Sequence, residues 1–306
     1  IIITNLAGKV LPHNEYEISW DASAAERGGF EHFMLKEIFE QPKAIADTLL
    51  GRISGLGSDV TKGIDLKDVD KVVIIACGTA YHAGLVGKYA IEKWASIAVD
   101  VELASEYRYR EPSVDKKTLL IPISQSGETM DTLMAMRYAK EKGAKVFTVC
   151  NTNGSTIPRE SDAVLYTHAG PEIAVASTKA FETQLIAMYL MGLHLGRIRG
   201  TISASLMAEI ENELSELPAK VEQVLETVEP LRELTRKFSK STSMLFLGRH
   251  VGYPTALEGA LKLKELAYMH AEGFAGGELK HGPIALIDSG TPVVAIMPAA
   301  GSLLAE

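Results

Sequence analysis

Lys71-Val72-Val73-Ile74-Ile75-Ala76-Cys77-Gly78-Thr79 is a continuous β-branched run that stops at a glycine, and the small residues Ala83, Gly84 and Gly87 follow. A strand apolar at every position, not at alternate ones, is buried on both faces, as in a parallel sheet. The segment after it reads as a helix. The same pattern then recurs along the chain. Val99-Asp100-Val101-Glu102-Leu103 is a second, weaker strand, and Thr118-Leu119-Leu120-Ile121-Pro122-Ile123 is a third that runs into Ser124-Gln125-Ser126-Gly127-Glu128-Thr129. A helix spans Asp131 to Lys142, and Gly143 leads into the strand Lys145-Val146-Phe147-Thr148-Val149. Asp162-Ala163-Val164-Leu165-Tyr166 is a fifth strand, and Ala176-Ser177-Thr178-Lys179 opens a long apolar helix to about Leu195. Strands alternating with helices predict an α/β fold with a doubly wound parallel sheet.

Outward from this unit, residues 1–29 mix short apolar pieces with Gly, Pro, Asn and Asp, and read as the tail of something else followed by a linker. A helix is expected from Phe30, ending at Gln41-Pro42 because proline disfavours its continuation. Downstream, an acidic, leucine-bearing helical spacer from Met207 to Lys237 leads to Ser243-Met244-Leu245-Phe246-Leu247-Gly248-Arg249, again strand then glycine. Ala76-Cys77-Gly78 against Phe246-Leu247-Gly248 makes a weak internal repeat. One more strand, Pro292-Val293-Val294-Ala295-Ile296, is expected before the chain stops at Glu306. The expected organisation is a first unit over residues 30–200 and a second over 201–306, cut after its second strand and so incomplete.

Composition narrows the partners. The chain has 306 residues, 46% of them hydrophobic, with a net charge of −8, which suits a soluble globular protein and argues against nucleic acid or an anionic membrane surface. A local site inside an acidic protein still binds a small anion. The two cysteines, Cys77 and Cys150, have no metal-ligand spacing and read as reduced thiols of a cytosolic protein. No metal or organic cofactor is implied. Ile1-Ile2-Ile3-Thr4 has no features of a signal peptide, and the apolar stretch Leu185 to Leu195 is too short to span a bilayer. The chain begins without Met, as a fragment or processed form would.

Each strand-to-helix junction of such a fold aims backbone N–H groups and the positive end of a helix dipole at one crevice. Ser124-Gln125-Ser126-Gly127-Glu128-Thr129 adds three hydroxyls and an amide there. One helix cap needs one hydroxyl, so three within six residues point to phosphate. Gly78-Thr79 and Ser177-Thr178 occupy equivalent junctions. With no Gly-x-x-x-x-Gly-Lys-Ser/Thr and no Gly-x-Gly-x-x-Gly, a sugar phosphate fits better than a nucleotide. Farther on, Ala256-Leu257-Glu258-Gly259-Ala260-Leu261-Lys262-Leu263-Lys264-Glu265 places Glu258, Lys262 and Glu265 along one helix face. His281 follows in Gly277-Glu278-Leu279-Lys280-His281-Gly282-Pro283. On a solvated helix such a Glu–Lys pair contributes only about 0.2–0.5 kcal/mol. Gathered in one pocket, the same groups are equipped for proton transfer.

These stretches, with Ala174-Val175-Ala176-Ser177-Thr178-Lys179, resemble the sugar isomerase (SIS) family, and within it the isomerase part of the glutamine:fructose-6-phosphate amidotransferases (glucosamine-6-phosphate synthases). The resemblance runs from about Phe30 onward. It implies tandem SIS domains, each a flavodoxin-like doubly wound sheet flanked by helices, the second truncated here. It also implies an enzyme of amino-sugar biosynthesis that turns fructose 6-phosphate and glutamine-derived ammonia into glucosamine 6-phosphate. The ring-opened sugar would lie between two SIS domains, its phosphate held by Ser124, Gln125, Ser126 and Thr129, with Cys77, Gly78, Thr79, Val175 and Ser177 as further contacts. Glu265 would move a proton between C1 and C2, Glu258 and Lys262 would tune that transfer, and His281, supplied by the neighbouring subunit of a homodimer, would assist ring opening. A carboxylate is a suitable base for a proton α to an imine, and a neutral imidazole acts as acid or base near pH 7.

Three departures accompany the resemblance. Ala80 stands where close relatives often carry Ser. Residues 1–17 resemble only the last strands of the glutaminase domain, so residues 1–29 read as its remnant and a linker. The tail whose lysine forms a Schiff base with the sugar is not matched, and no lysine present takes that role, so the chain as it stands is expected to lack full activity. Two other readings compete: a sugar-phosphate deglycase or aldose–ketose isomerase of the same fold, and a non-catalytic sugar-phosphate sensor. A sensor needs only the phosphate loops, not the Glu258/Lys262/Glu265 face with His281.

Overall fold

The structure, a computed structural model, describes residues 2–12, 26–61 and 63–297. The reading of residues 1–29 as a remnant and linker falls in part outside the described residues, at 1 and 13–25. In chain order the elements are α1 (Phe33–Phe39), α2 (Gln41–Leu49), α3 (Ser58–Thr61), β1 (Lys71–Ala76), α4 (Gly78–Ala95), β2 (Ala98–Leu103), α5 (Ala104–Tyr107), β3 (Thr118–Ser124), α6 (Met130–Glu141), β4 (Lys145–Cys150), α7 (Thr156–Glu160) and β5 (Ala163–Tyr166). Then come α8 (Lys179–Arg199), α9 (Ala204–Leu225), α10 (Val228–Phe238), β6 (Ser243–Gly248), α11 (Gly252–Ala267), β7 (His270–Ala275) and β8 (Val293–Ile296).

Five strands form a parallel sheet in the order β2-β1-β3-β4-β5. This is the flavodoxin-like order, with its switch point beside β1 and β3. The continuous apolar run of β1 has a direct cause in the layers. Val72, Ile74 and Ala76 pack into a core shared with α2, α4 and α8, whereas Val73 and Ile75 pack on the opposite side with α5 and α6. Both faces are covered from Val72 to Ala76, so none of those positions is polar. Glycines let α4 and α8 approach closely: a Cβ on Gly87 would come within 2.6 Å of Met188, and one on Gly196 within 2.8 Å of the Trp94 carbonyl oxygen.

A second parallel sheet, order β7-β6-β8, repeats the first three places of the larger one. Here the structure corrects the sequence reading. Strand β7 pairs along its whole length with β6, so the second unit shows three strands where two were expected. His270, Glu272 and Gly273 hide it from a pattern search, because an edge strand with an exposed face needs no apolar run. Gly273 is required by packing, since a Cβ there would lie 3.0 Å from the Leu257 backbone. The expected helix from Phe30 to Gln41 also divides differently. It is two helices, and Pro42 lies in the first turn of α2, where its missing N–H costs nothing. No helix among the described residues is long and apolar enough to cross a membrane.

Candidate active site

The site begins where β1 gives way to α4. Cys77 is extended, with φ −126° and ψ 147°, and Gly78 takes φ +55°, a left-handed value that glycine adopts without a Cβ penalty. That turn places Thr79 on the first turn of α4. Beside it, β3 ends at Ser124 and the chain crosses to α6 through residues 125–129. The hydroxyls of Ser124 and Thr129 share a hydrogen bond at 3.1 Å, the Gly127 N–H donates to Ser124 Oγ at 3.0 Å, and the Glu128 N–H donates to Ser126 Oγ at 3.2 Å. Thr129, not Ser126, is the N-cap of α6, and it makes no side-chain cap hydrogen bond. Capping therefore does not explain these hydroxyls. Gly127 has φ +68°, and any Cβ there would collide with Ser155, so the loop lies flat against its neighbour.

A third junction is held by acids. Glu37, buried on α1, accepts from the backbone N–H groups of Ile173 at 2.6 Å and Ala174 at 3.2 Å. Burial pushes its carboxyl above the usual range, and these two hydrogen bonds pull against that shift. Glu172 accepts from Ser177 Oγ at 2.9 Å and from the Thr178 N–H at 2.8 Å. Cys77, Thr79, Ala80, Ser124, Gln125, Ser126, Thr129 and Ser177 together line one cavity of about 240 Å³, with Ile123 and Gln184 completing its wall. The Oε1 atom of Gln184 and the Oγ1 atom of Thr178 are buried and have no hydrogen-bond partner among the described residues.

The second sheet contributes α11, which lies on α4 and delivers the acid–base face. Glu258 is buried at 6% exposure. Its Oε1 accepts from Thr79 Oγ1 at 2.9 Å, and Lys262 Nζ, 3.4 Å from the same oxygen, donates to Thr79 Oγ1 at 3.0 Å. Lys262 Nζ also donates to Glu265 Oε2 at 2.6 Å. Glu258, Lys262 and Glu265 thus lie on one face, as their spacing requires, and that face meets Thr79 beside the cavity. A buried carboxylate is tolerable here because its oxygens have donors.

Two of the expected residues lie apart from the cavity within this chain. Val175 is 98% exposed and lines no part of the cavity. His281 ends the 3-10 turn Gly276–His281, is exposed, and makes none of the hydrogen bonds of this network. Three residues that the sequence reading passed over do belong. His82 Nδ1 is 2.7 Å from Glu258 Oε2, Gln184 walls the cavity, and Glu182 stands on the first turn of α8. The Glu182 carboxyl is pushed up to about 7, first by desolvation and then by the charge of Glu258. His82 is three residues from Thr79 and so on the same helix face, a spacing that was available in the sequence. Nothing local marks Glu182.

A two-sheet α/β chain with hydroxyl-lined loops at the carboxyl ends of its strands is a doubly wound fold with a ligand crevice, and the family comparison gives it a class. The SIS domain model matches residues 65–193 and 237–302, and the chain belongs to the SIS domain family. Within that family it is 61% identical over 302 residues to the glutamine–fructose-6-phosphate aminotransferase (isomerizing) of Streptomyces coelicolor, covering 97% of this chain and 49% of that protein. It is 60% identical over 287 residues to the enzyme of the same name from Mycobacterium tuberculosis, covering 92% of this chain and 46% of the relative. The chain thus spans about half the length of the curated relatives it matches. Among solved structures, the C-terminal domain of glucosamine-fructose-6-phosphate aminotransferase from Francisella tularensis superposes with a TM-score of 0.88 at 42% identity, covering 92% of this chain and 79% of that one.

Proposed function

We propose that this chain is the isomerase part of an enzyme that makes glucosamine 6-phosphate from fructose 6-phosphate and glutamine-derived ammonia. The strongest support is the adjacency of two parts: a cavity walled by Ser124, Gln125, Ser126, Thr129 and Ser177, and the Thr79–Glu258–Lys262–Glu265 hydrogen-bond line at its edge. Hydroxyls and backbone N–H groups hold a phosphate without fixed cations. Glu265, at the open end of the line, is the base that carries a proton between C1 and C2, and Lys262 holds its carboxylate in place. Glu258 and Thr79 hold Lys262 in turn. Residues 30–200 and 201–306 are read as the two SIS units. His281, exposed and apart from this network, would serve the site of the neighbouring subunit in a homodimer, with the ammonia coming from a glutaminase domain of the intact protein. The cytoplasm is the compartment this reading assigns.

A thermal-shift titration with fructose 6-phosphate and glucosamine 6-phosphate tests it, with inorganic phosphate and ribose 5-phosphate as controls. A ligand that binds only the folded state stabilises by RT ln(1 + [L]/Kd), roughly 2.7 kcal/mol at a hundredfold excess over Kd. A shift with inorganic phosphate that grows with the hexose phosphates beyond that of ribose 5-phosphate, and is weakened by Ser126→Ala, is the expected result. Equal shifts with ribose 5-phosphate, or none at millimolar hexose phosphate, would count against it.

A further inference from the structure

Behind Thr79 and Lys262 stands an imidazole that the proposed reaction leaves without a role. His82 lies one turn along α4 from Thr79, with its side chain 14% exposed. The two oxygens of Glu258 divide their partners. Oε1 faces Thr79 Oγ1 and Lys262 Nζ, whereas Oε2 is taken by His82 Nδ1 at 2.7 Å and by no other group among the described residues. The terminal torsion of a glutamate is broad, so a carboxylate bonded through one oxygen swings about it. Bonding through both oxygens fixes its plane. That plane sets where the Thr79 hydroxyl points, and the hydroxyl is one of the acceptors that aim Lys262 at Glu265.

The surroundings make the contact more than incidental. The imidazole meets Glu258 of α11, whose other oxygen lies 3.4 Å from Lys262 and whose charge acts on Glu182 of α8, and Tyr81 of α4, whose ring centroid is 5.9 Å away. An ionised carboxylate only accepts, so the short contact requires the proton on Nδ1. We propose that His82 is a positioning residue: its Nδ1–H donates to Glu258 Oε2 and, by fixing that carboxylate, aligns Thr79 and Lys262 with Glu265 for proton transfer. This assignment rests on the function proposed above and adds a residue to its machinery.

The test uses the complete gene product and two variants. His82→Leu keeps apolar bulk and removes the donor, whereas His82→Asn places an amide N–H near the position of Nδ1. Turnover of fructose 6-phosphate gives kcat and KM, and the thermal shift with inorganic phosphate reports whether the cavity is intact. His82→Leu is expected to lose about 10²-fold in kcat, the scale of a misplaced supporting group, with KM changed by less than about threefold. Its phosphate-induced shift is expected to match the wild type, and His82→Asn should recover most of the lost kcat. A His82→Leu protein with wild-type kcat overturns the proposal. So does a His82→Asn protein as slow as His82→Leu when both keep the phosphate shift, because a donor at that position would then have no effect. A wild-type protein that binds phosphate but turns over no hexose phosphate overturns the function reading itself, an outcome separable from the other two.

Discussion

Glu182 carries a charge state that its sequence context does not reveal. It follows Phe181 in the first turn of α8, and its carboxyl is raised from an ordinary 4.5 to about 7 by desolvation and by Glu258. A folded state with the higher pKa binds more protons than the unfolded chain between those two values, so this group's contribution is present at low pH and is lost as pH rises through the window. A shift of this size corresponds to a loss on the order of 3 kcal/mol across the window. Glu182→Gln is expected to remove most of that slope, read as denaturant-unfolding free energies at pH 5 and pH 7.5. An unchanged slope would mean that the carboxyl ionises normally. Thr79→Val makes a second test at this scale. It keeps the shape but takes away the hydroxyl between Glu258 and Lys262, and should lower kcat about tenfold or more while costing roughly 1–3 kcal/mol of stability for the partners left unsatisfied. The Glu258/Lys262/Glu265 face was legible from helical spacing alone. Glu182 and Gln184 were not, and for His82 the sequence offered only its spacing from Thr79, because its partner Glu258 lies on a helix 176 residues away.

At the scale of elements, what could be read depended on burial. Strand β1 has every residue from Val72 to Ala76 buried, so its composition was dictated and its place in the sheet could be inferred. Strand β7, exposed along part of one face, was under no such pressure and stayed hidden until its register with β6 was seen. Helices followed the same logic: α8 showed as a long apolar run because both its sides are covered. Its packing on α4 yields a sharp expectation. Gly196→Ala improves intrinsic helix propensity by up to about 1 kcal/mol, yet the new Cβ would face the backbone oxygen of Trp94 at 2.8 Å, an obstacle that cannot rotate away. Strain should win, with a net loss of about 1–3 kcal/mol measured by the denaturant midpoint. A more stable Gly196→Ala protein would show that the two helices separate more readily than this geometry allows.

For the whole molecule, the telling contact is the one between the two sheets' helices. Glu258 belongs to the second sheet's helix, and two of its partners, Thr79 and His82, belong to the first. Removing it by Glu258→Ala leaves Lys262 and His82 facing a void and takes away a bond that joins the two units. The expected cost is about 3 kcal/mol, seen as a second, earlier transition in a thermal melt. A single transition at the wild-type temperature would mean that the units are held together by other contacts. The sequence anticipated the equivalence of the units through Ala76-Cys77-Gly78 and Phe246-Leu247-Gly248, which mark the carboxyl ends of β1 and β6, the first strand of each sheet in chain order.

That equivalence reaches further. Helices α4 and α11 are the same element used twice, each following the first strand of its sheet in chain order, and the groups of the hydrogen-bond line are divided between them: Thr79 and His82 on one copy, Glu258, Lys262 and Glu265 on the other. Cutting the chain in the spacer between α10 and β6 would give two polypeptides, each chemically mute by itself. A molecule organised this way is a ready substrate for fragment complementation, in which the return of turnover reports that two separately made halves have found each other.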